Sequence, residues 1–357
     1  MRVLLASDAN SSHTRKWLLG LHRAGVEVAL FSLSVPNDDW YVKHNLACFV
    51  PRSHFHTLLS ITGKLGYGFA VSALKRALRT FDADVLHAHY ASSYGWLARL
   101  SRFQPYVVSV WGSDVYAFPG NAFNAFLLRK NLNAARMVFA TSRHLAEATR
   151  KHTRSHVTVV PFGIPDPLPT VRERLADEPF VFGYVKGMAE VYGTDWVLEA
   201  FVAIHRTHGG VRLLMLGDGP MLEALKAKAA ASDAATAIAW VGRVAPDRVG
   251  EYYAKMNVLL NPSRFESFGV SILEAAAHGV PAIATRVGGI PEVVDAPSGA
   301  WLIAPSLEEL QAAMLEAVDH PNLCREKGRS ARAFVEAHYR FSENVAQQIQ
   351  AYTTVLT

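Results

Sequence analysis

Cysteine is nearly absent. Cys48 and Cys324 are the only two in 357 residues; they lie far apart, and neither belongs to a CxxC or Cys/His spacing. This excludes a disulfide framework and a zinc site and leaves two ordinary buried thiols as the expectation. Long apolar runs are lacking too. No segment approaches about eighteen uninterrupted apolar residues, and the opening MRVLLASD holds too short an apolar run for a secretory signal, so a cytosolic protein is expected. Charged residues make up only 19% of the chain against 50% hydrophobic, a balance that excludes disorder and suits a globular protein with a sizeable core. There is no short-period repeat or low-complexity tract. The strand expected at residues 2–6 is not followed by G-x-G-x-x-G, and the GDGP turn at 217–220 has no downstream partner motif, which sets aside a nucleotide-cofactor oxidoreductase.

At about twice the usual domain length, the chain is expected to form two domains. Short apolar strands are read at residues 2–6, 27–32, 85–89, 107–110, 137–141 and 157–160, with a helix over 14–24. A stretch rich in proline and charge, PFGIPDPLPTVRERLADEP, then reads as a linker. The plan restarts with strands at 180–185, 211–216, 238–241, 258–260 and 282–285. Such alternation predicts an α/β protein of two doubly wound parallel sheets facing a cleft.

The formal charge of +5 is concentrated. Residues 52–79 contain Arg52, His54, His56, Lys64, Lys75, Arg76 and Arg79 among Phe55, Leu58, Leu59, Ile61, Leu65, Tyr67 and Phe69, with no acid. Two readings follow: peripheral contact with an anionic membrane or a phosphorylated lipid acceptor, or a helix with one solvated basic face and one apolar face in the core. No nucleic-acid motif accompanies the basic residues, and no nucleic-acid partner is expected.

The richest segment is SRFESFGVSILEAAAHGVPAIATRVGGIPEVV at residues 263–294. A short strand leads into it through Asn261 and Pro262, and a helix is expected to open near residues 268–270 and to end at Gly279 and Pro281. The first amides of a helix have no intrahelical partner and sit at the positive end of its dipole, so they can receive a diphosphate. Gly269 is expected to allow close approach. Glu266 precedes the helix and Glu274 lies inside it, roughly 7 to 8 Å further along. Taken alone, a spaced glutamate pair reads first as residues that cap a helix start and form a surface salt bridge.

With its whole context, Glu266, Glu274, Gly288, Gly289, Pro291, Glu292 and Val294 among them, this segment resembles the family 4 retaining glycosyltransferases. The resemblance extends over nearly the whole chain, through DADVLHAHY at 82–90, WGSDV at 111–115, VPFGI at 160–164, LLMLGDGPM at 213–221 and VGRV at 241–244. It implies the GT-B fold: an acceptor-side domain over 1–162, a linker over 163–178, a nucleotide-sugar domain over 179–339, and a last helix, 340–357, returning to the first domain. It implies a hexosyltransferase-type transfer, with retention, from a nucleoside diphosphate-sugar to a hydroxyl acceptor, whether glycan, lipid-linked sugar or small molecule, in polysaccharide or glycoconjugate synthesis. Glu266 would bind donor-sugar hydroxyls, Glu274 the ribose, Lys186 a phosphate, and the amides of Phe268, Gly269 and Val270 the diphosphate. No bound cofactor and no metal are implied.

Other residues carry weaker readings. Asp82-x-Asp84 sits at the entry of a strand, away from the end that bears ligands, which argues against a metal. His87 and His89 are expected on opposite faces of their strand, with His87 a hydrogen-bonded core residue and His89 an acceptor contact. Asp114 is a candidate from the GSD pattern. Ser12 and His13 stand at a helix start where the family carries a glycine pair, and either phosphate contact or simple capping fits them. Trp111 stands where some relatives have a donor-contacting histidine. The second phosphate cation of the family is missing at Val191, with Arg243, Arg264 or a first-domain residue as its substitutes. These departures leave a non-catalytic sugar-nucleotide-binding or partner subunit as the alternative.

Overall fold

Strands that helices cover on both faces must be apolar without alternation. Residues 3–6, 28–31 and 85–89 are buried without a break. In the computed structural model, which describes residues 1–51, 66–172 and 178–357, β1 (Arg2–Ala6), β2 (Glu27–Phe31), β3 (Ala47–Phe49), β4 (Val85–His89), β5 (Tyr106–Val110), β6 (Met137–Ala140) and β7 (Val157–Val159) form a parallel sheet in the order β3-β2-β1-β4-β5-β6-β7. A second parallel sheet has the order β10-β9-β8-β11-β12-β13, from β8 (Val181–Val185), β9 (Arg212–Leu216), β10 (Ile238–Gly242), β11 (Val258–Asn261), β12 (Ala282–Thr285) and β13 (Ala300–Ile303). Strand order reverses direction between β1 and β4 in one sheet and between β8 and β11 in the other, and at such points the loops leaving the carboxyl ends part to leave room for a ligand.

Contacts divide the chain into residues 1–161 with 342–357, and residues 162–341. The last helix, Phe341–Leu356, packs within the first unit: the Tyr352 hydroxyl lies 2.6 Å from His87 Nδ1, and Asn344 Nδ2 donates to the Pro161 carbonyl at 3.0 Å. The segment after Phe162 is tied to the second unit, with Ile164 N–H donating to Tyr339 O at 2.8 Å and Arg332 to Pro169 O at 2.8 Å. Among the described residues no helix is long and apolar enough to cross a membrane.

Of the basic stretch, residues 52–65 lie outside the described residues. In the helix Gly66–Phe81, Ala70, Leu74, Ala77 and Leu78 are buried while Arg76 and Arg79 are exposed, the two-faced arrangement of a surface helix. The D-x-D pair holds the start of β1: Asp82 pairs with the Arg2 guanidinium at 2.5 Å and Asp84 accepts the Arg2 amide at 2.7 Å. Both carboxylates therefore have structural partners.

Candidate functional site

In the second unit, β8 delivers Lys186 and β11 delivers Asn261 and Ser263 to the point where strand order reverses. Asn261 and Ser263 are 1% and 0% exposed, and a buried polar side chain needs partners. Ser263 Oγ donates to Asn261 Oδ1 at 2.7 Å, Asn261 Nδ2 donates to Ser271 Oγ at 3.3 Å, and both oxygens of the pair also meet Lys186. Its ammonium, with three donors, meets Asn261 Oδ1 at 3.2 Å, Ser263 Oγ at 3.0 Å and the Glu266 carboxylate. Burial holds the Lys186 pKa below its usual value, against the opposing pull of Glu266. The two side chains keep 15% and 13% of their surface, so a ligand can reach a pair that water barely screens. Asn261 and Ser263 were not singled out from sequence; the signal was Asn-Pro-Ser closing an apolar strand.

Glu266 is held from behind. Gly289 N–H donates to its backbone carbonyl at 3.0 Å. Gly288 lies at φ +51, where a Cβ would stand 1.8 Å from that same carbonyl oxygen. The GG turn is thus the mould of the Glu266 loop. Glu266 Oε1 accepts the Ser267 amide at 3.1 Å and lies 3.5 Å from the Phe268 amide. The Phe268 amide is accordingly turned toward Glu266, while the Phe268 ring is 2% exposed and packs on Phe162 and Tyr339.

The helix opens at Val270 with Gly269 as its N-cap, and no side chain caps it. Gly269 has φ +101, and an added Cβ would meet Ile272 Cδ1 at 3.2 Å. This glycine answers to backbone conformation and packing, a different reason from the close approach expected of it. Glu274, half-buried within the helix, accepts the Tyr253 hydroxyl at 2.9 Å, and its carbonyl lies 2.8 Å from His278 Nδ1. Burial and the Glu274 charge raise the Tyr253 pKa well above its usual value, so the phenol stays a donor.

The two substitute cations fare differently. Arg264 forms a two-pronged pair with Asp195 at 2.8 and 2.7 Å and stacks over Trp196, so it is committed to holding its loop. Arg243 follows β10 and is exposed. Val191, at 41% exposure, faces outward, while the neighbouring Tyr192 ring lies over the Lys186 ammonium at 4.9 Å.

The first unit has a second cluster at its own strand-order reversal. His89 Nδ1 lies 3.0 Å from Ser7 Oγ, and its ring lies 4.6 Å from Trp111. His13 and Tyr90 also meet Trp111, at 5.8 and 5.0 Å. Burial, then His13, pushes His89 down to about 3; burial, then Lys16, pushes His13 down to about 4. At 1% exposure, His89 is a neutral, interior side chain. The expectation of opposite faces is overturned: residues two apart on a strand share a face, and the His87 and His89 rings stand 4.7 Å apart. His87 is a hydrogen-bonded core residue as expected, between Tyr352 and Ser109 at 2.6 and 2.7 Å. Ser11, not Ser12, caps the first helix, and Ser12 is exposed. Asp114 is 1% exposed and accepts the amides of Ala91, Gly112 and Trp111 at 2.8, 3.0 and 3.1 Å, so its oxygens are occupied in joining two turns. Among the described residues no group of three or more His, Cys, Asp or Glu is placed to hold a metal.

Residues 2–142 match the family model described as glycosyl transferase 4-like, and residues 179–320 match that of glycosyl transferases group 1. The chain is 27% identical over 328 residues to N-acetyl-alpha-D-glucosaminyl L-malate synthase of Bacillus anthracis, covering 86% of this chain and 85% of that protein. In fold it is similar to sucrose-phosphate synthase from Thermosynechococcus elongatus (TM-score 0.81, 20% identity, 99% of each chain). Anabaena Alr3699/HepE in complex with UDP and glucose is equally similar in fold (TM-score 0.81, 16% identity, 99% of each chain). Two parallel sheets of this order are the GT-B fold, and the chain belongs to the group 1, family 4-type glycosyltransferases.

Proposed function

We propose that this glycosyltransferase moves a sugar, with retention, from a nucleoside diphosphate-sugar to a hydroxyl acceptor. The observation that carries the reading is the Lys186–Glu266 pair beside a helix start that no side chain caps. A nucleotide-sugar with a neutral sugar carries its charge on the diphosphate, and its hydroxyls lie on either side. Lys186 and the amides of Gly269 and Val270 suit the diphosphate; Glu266, paired with that ammonium, suits hydroxyls of the adjoining sugar; Glu274, braced by Tyr253, suits the ribose. The Phe268 amide serves the Glu266 carboxylate instead. Arg243 is the exposed cation available to an outer phosphate oxygen. Alr3699/HepE, of the same fold, is known in complex with UDP-glucose, which favours a donor of this class.

Chemically, the departing diphosphate gains charge as its bond to the sugar breaks, and a preformed ammonium in a poorly screened site stabilises that charge most in the transition state. No carboxylate is assigned as a covalent nucleophile, and the departing phosphate takes the acceptor proton on the same face. The test is a thermal-shift screen of UDP-, GDP- and dTDP-sugars, in which a donor at a hundred times its Kd adds about 2.7 kcal/mol of stability. No stabilisation by any of them overturns the proposal.

A further inference from the structure

Tyr192 lies on a short turn, Glu190–Tyr192, that leads into the helix Thr194–Thr207. That turn is stapled to the loop carrying Glu266. The Val191 carbonyl accepts the amides of Arg264 and Phe265 at 2.9 and 3.4 Å, and the Arg264 side chain reaches back to Glu190 O and Asp195. The staple leaves the Val191 side chain outside and the Tyr192 ring inside, 4.9 Å from Lys186 Nζ. A cation over an aromatic face is attracted by the ring quadrupole, and more strongly where water is excluded.

The three N–H donors of Lys186 already point at Asn261, Ser263 and Glu266. The ring therefore offers the ammonium a further attractive surface that needs no hydrogen bond. We propose that Tyr192 is a positioning residue that holds the Lys186 ammonium in place through the face of its ring. The proposal deepens the donor reading and rests on it for its catalytic meaning, because it takes Lys186 as the phosphate-binding cation.

Two consequences distinguish it from a packing role. First, replacing the ring by an aliphatic side chain removes attraction for the charged form only, so Lys186 loses its proton at lower pH. The groups facing that ammonium are Glu266 from the loop after β11, Asn261 and Ser263 from the end of β11, and Tyr192 from the turn. Only the last is altered. Second, Tyr192→Phe keeps the ring and should keep the wild-type labelling midpoint of Lys186, because the attraction belongs to the face and not to the hydroxyl.

The experiment is competitive labelling of Lys186 with acetic anhydride across pH, read by mass spectrometry of its peptide, in the full chain with and without UDP or GDP. Tyr192→Leu should lower the labelling midpoint by about half a unit to one and a half units, and Tyr192→Phe should leave it unchanged. Tyr192→Met carries the same contrast should the Leu variant not fold. An unmoved midpoint in the aliphatic variants, or a Phe variant that moves as far as they do, overturns the proposal. Protection of Lys186 by UDP or GDP bears separately on the donor reading: a midpoint that shifts with Tyr192→Leu while neither nucleotide protects Lys186 supports the positioning role and removes the phosphate assignment.

Discussion

The two sheets reverse strand order in the same way and put opposite chemistry at the reversal. In the first unit the loops after β1, β4 and β5 gather His13, His89, Tyr90 and Trp111, with His89 interior and both histidines held neutral by burial. In the second, the loops after β8 and β11 gather an ammonium and a carboxylate that keep a little exposed surface. A doubly wound sheet supplies a place for a ligand and the side chains at the strand ends decide which ligand; the proposed donor site is at the charged end.

The sharpest way to break the contrast is to remove the charge. Lys186→Ala should lower turnover by roughly a hundred- to a thousandfold, and by more than it weakens donor affinity, because the leaving group gains charge mainly in the transition state. Steady-state kinetics with the donor identified by the screen decides this, and equal losses in both quantities would sink the transition-state role.

The neutral end makes the opposite kind of prediction, one of stability. His13 and His89 have folded pKa values of about 4 and about 3, below the unfolded value of 6.5. Their contribution is complete above pH 6.5 and is lost as pH falls below it, because the unfolded chain takes up protons that the folded chain refuses. Between pH 6.5 and 5, above the range in which ordinary carboxylates titrate, each should cost about 1.5 kcal/mol. Melting followed across that window should show a steep fall in wild type and a shallower one in His89→Gln. Identical slopes would mean that His89 is not held neutral.

Smaller effects separate the two glutamates. Glu274→Ala should weaken binding of free nucleoside diphosphate and of the nucleotide-sugar alike, whereas Glu266→Ala should chiefly impair use of the intact nucleotide-sugar, each by about 1.5 to 3 kcal/mol. Titration calorimetry of both variants with UDP and with UDP-glucose tests the division, and unchanged affinities throughout would cancel it. Smallest of all is Val191→Lys. Val191 is exposed, so a lysine there should change stability by no more than about 0.5 kcal/mol and leave turnover close to wild type; a large gain in turnover would show that an ammonium at position 191 reaches the donor phosphates.

Sequence showed the repeating strand-and-helix plan because buried parallel strands are written as unbroken apolar runs. It did not show β3 and β13. Both are edge strands of three and four residues, and β3 is half-exposed, so neither needs a long apolar run. Lys186 could be picked out because a charged residue stands out at the end of an apolar strand, and Glu266 and Glu274 because their spacing and the turn after them resemble a known pattern; the structure brings Lys186 and Glu266 together. The buried Asn261 and Ser263 that hold Lys186 were not, since a polar residue after a strand reads first as a turn. Asp114 misled for a related reason: a GSD turn looks like a site until its carboxylate is seen to hold three amides. Sequence also left open which side chain of the Glu190–Tyr192 turn faces Lys186, because it counts residues along a turn without saying which points inward; the structure puts the Tyr192 ring there.

Hydrogen exchange, followed along the whole chain with and without the donor that stabilises it most, tests the central contrast directly. The donor should slow exchange at the amides of Gly269 and Val270 and in the loop around Glu266, even in a His89→Gln background. Slowed exchange confined to residues around His89 and Trp111, with the start of the Val270–Ala277 helix unchanged, would contradict it.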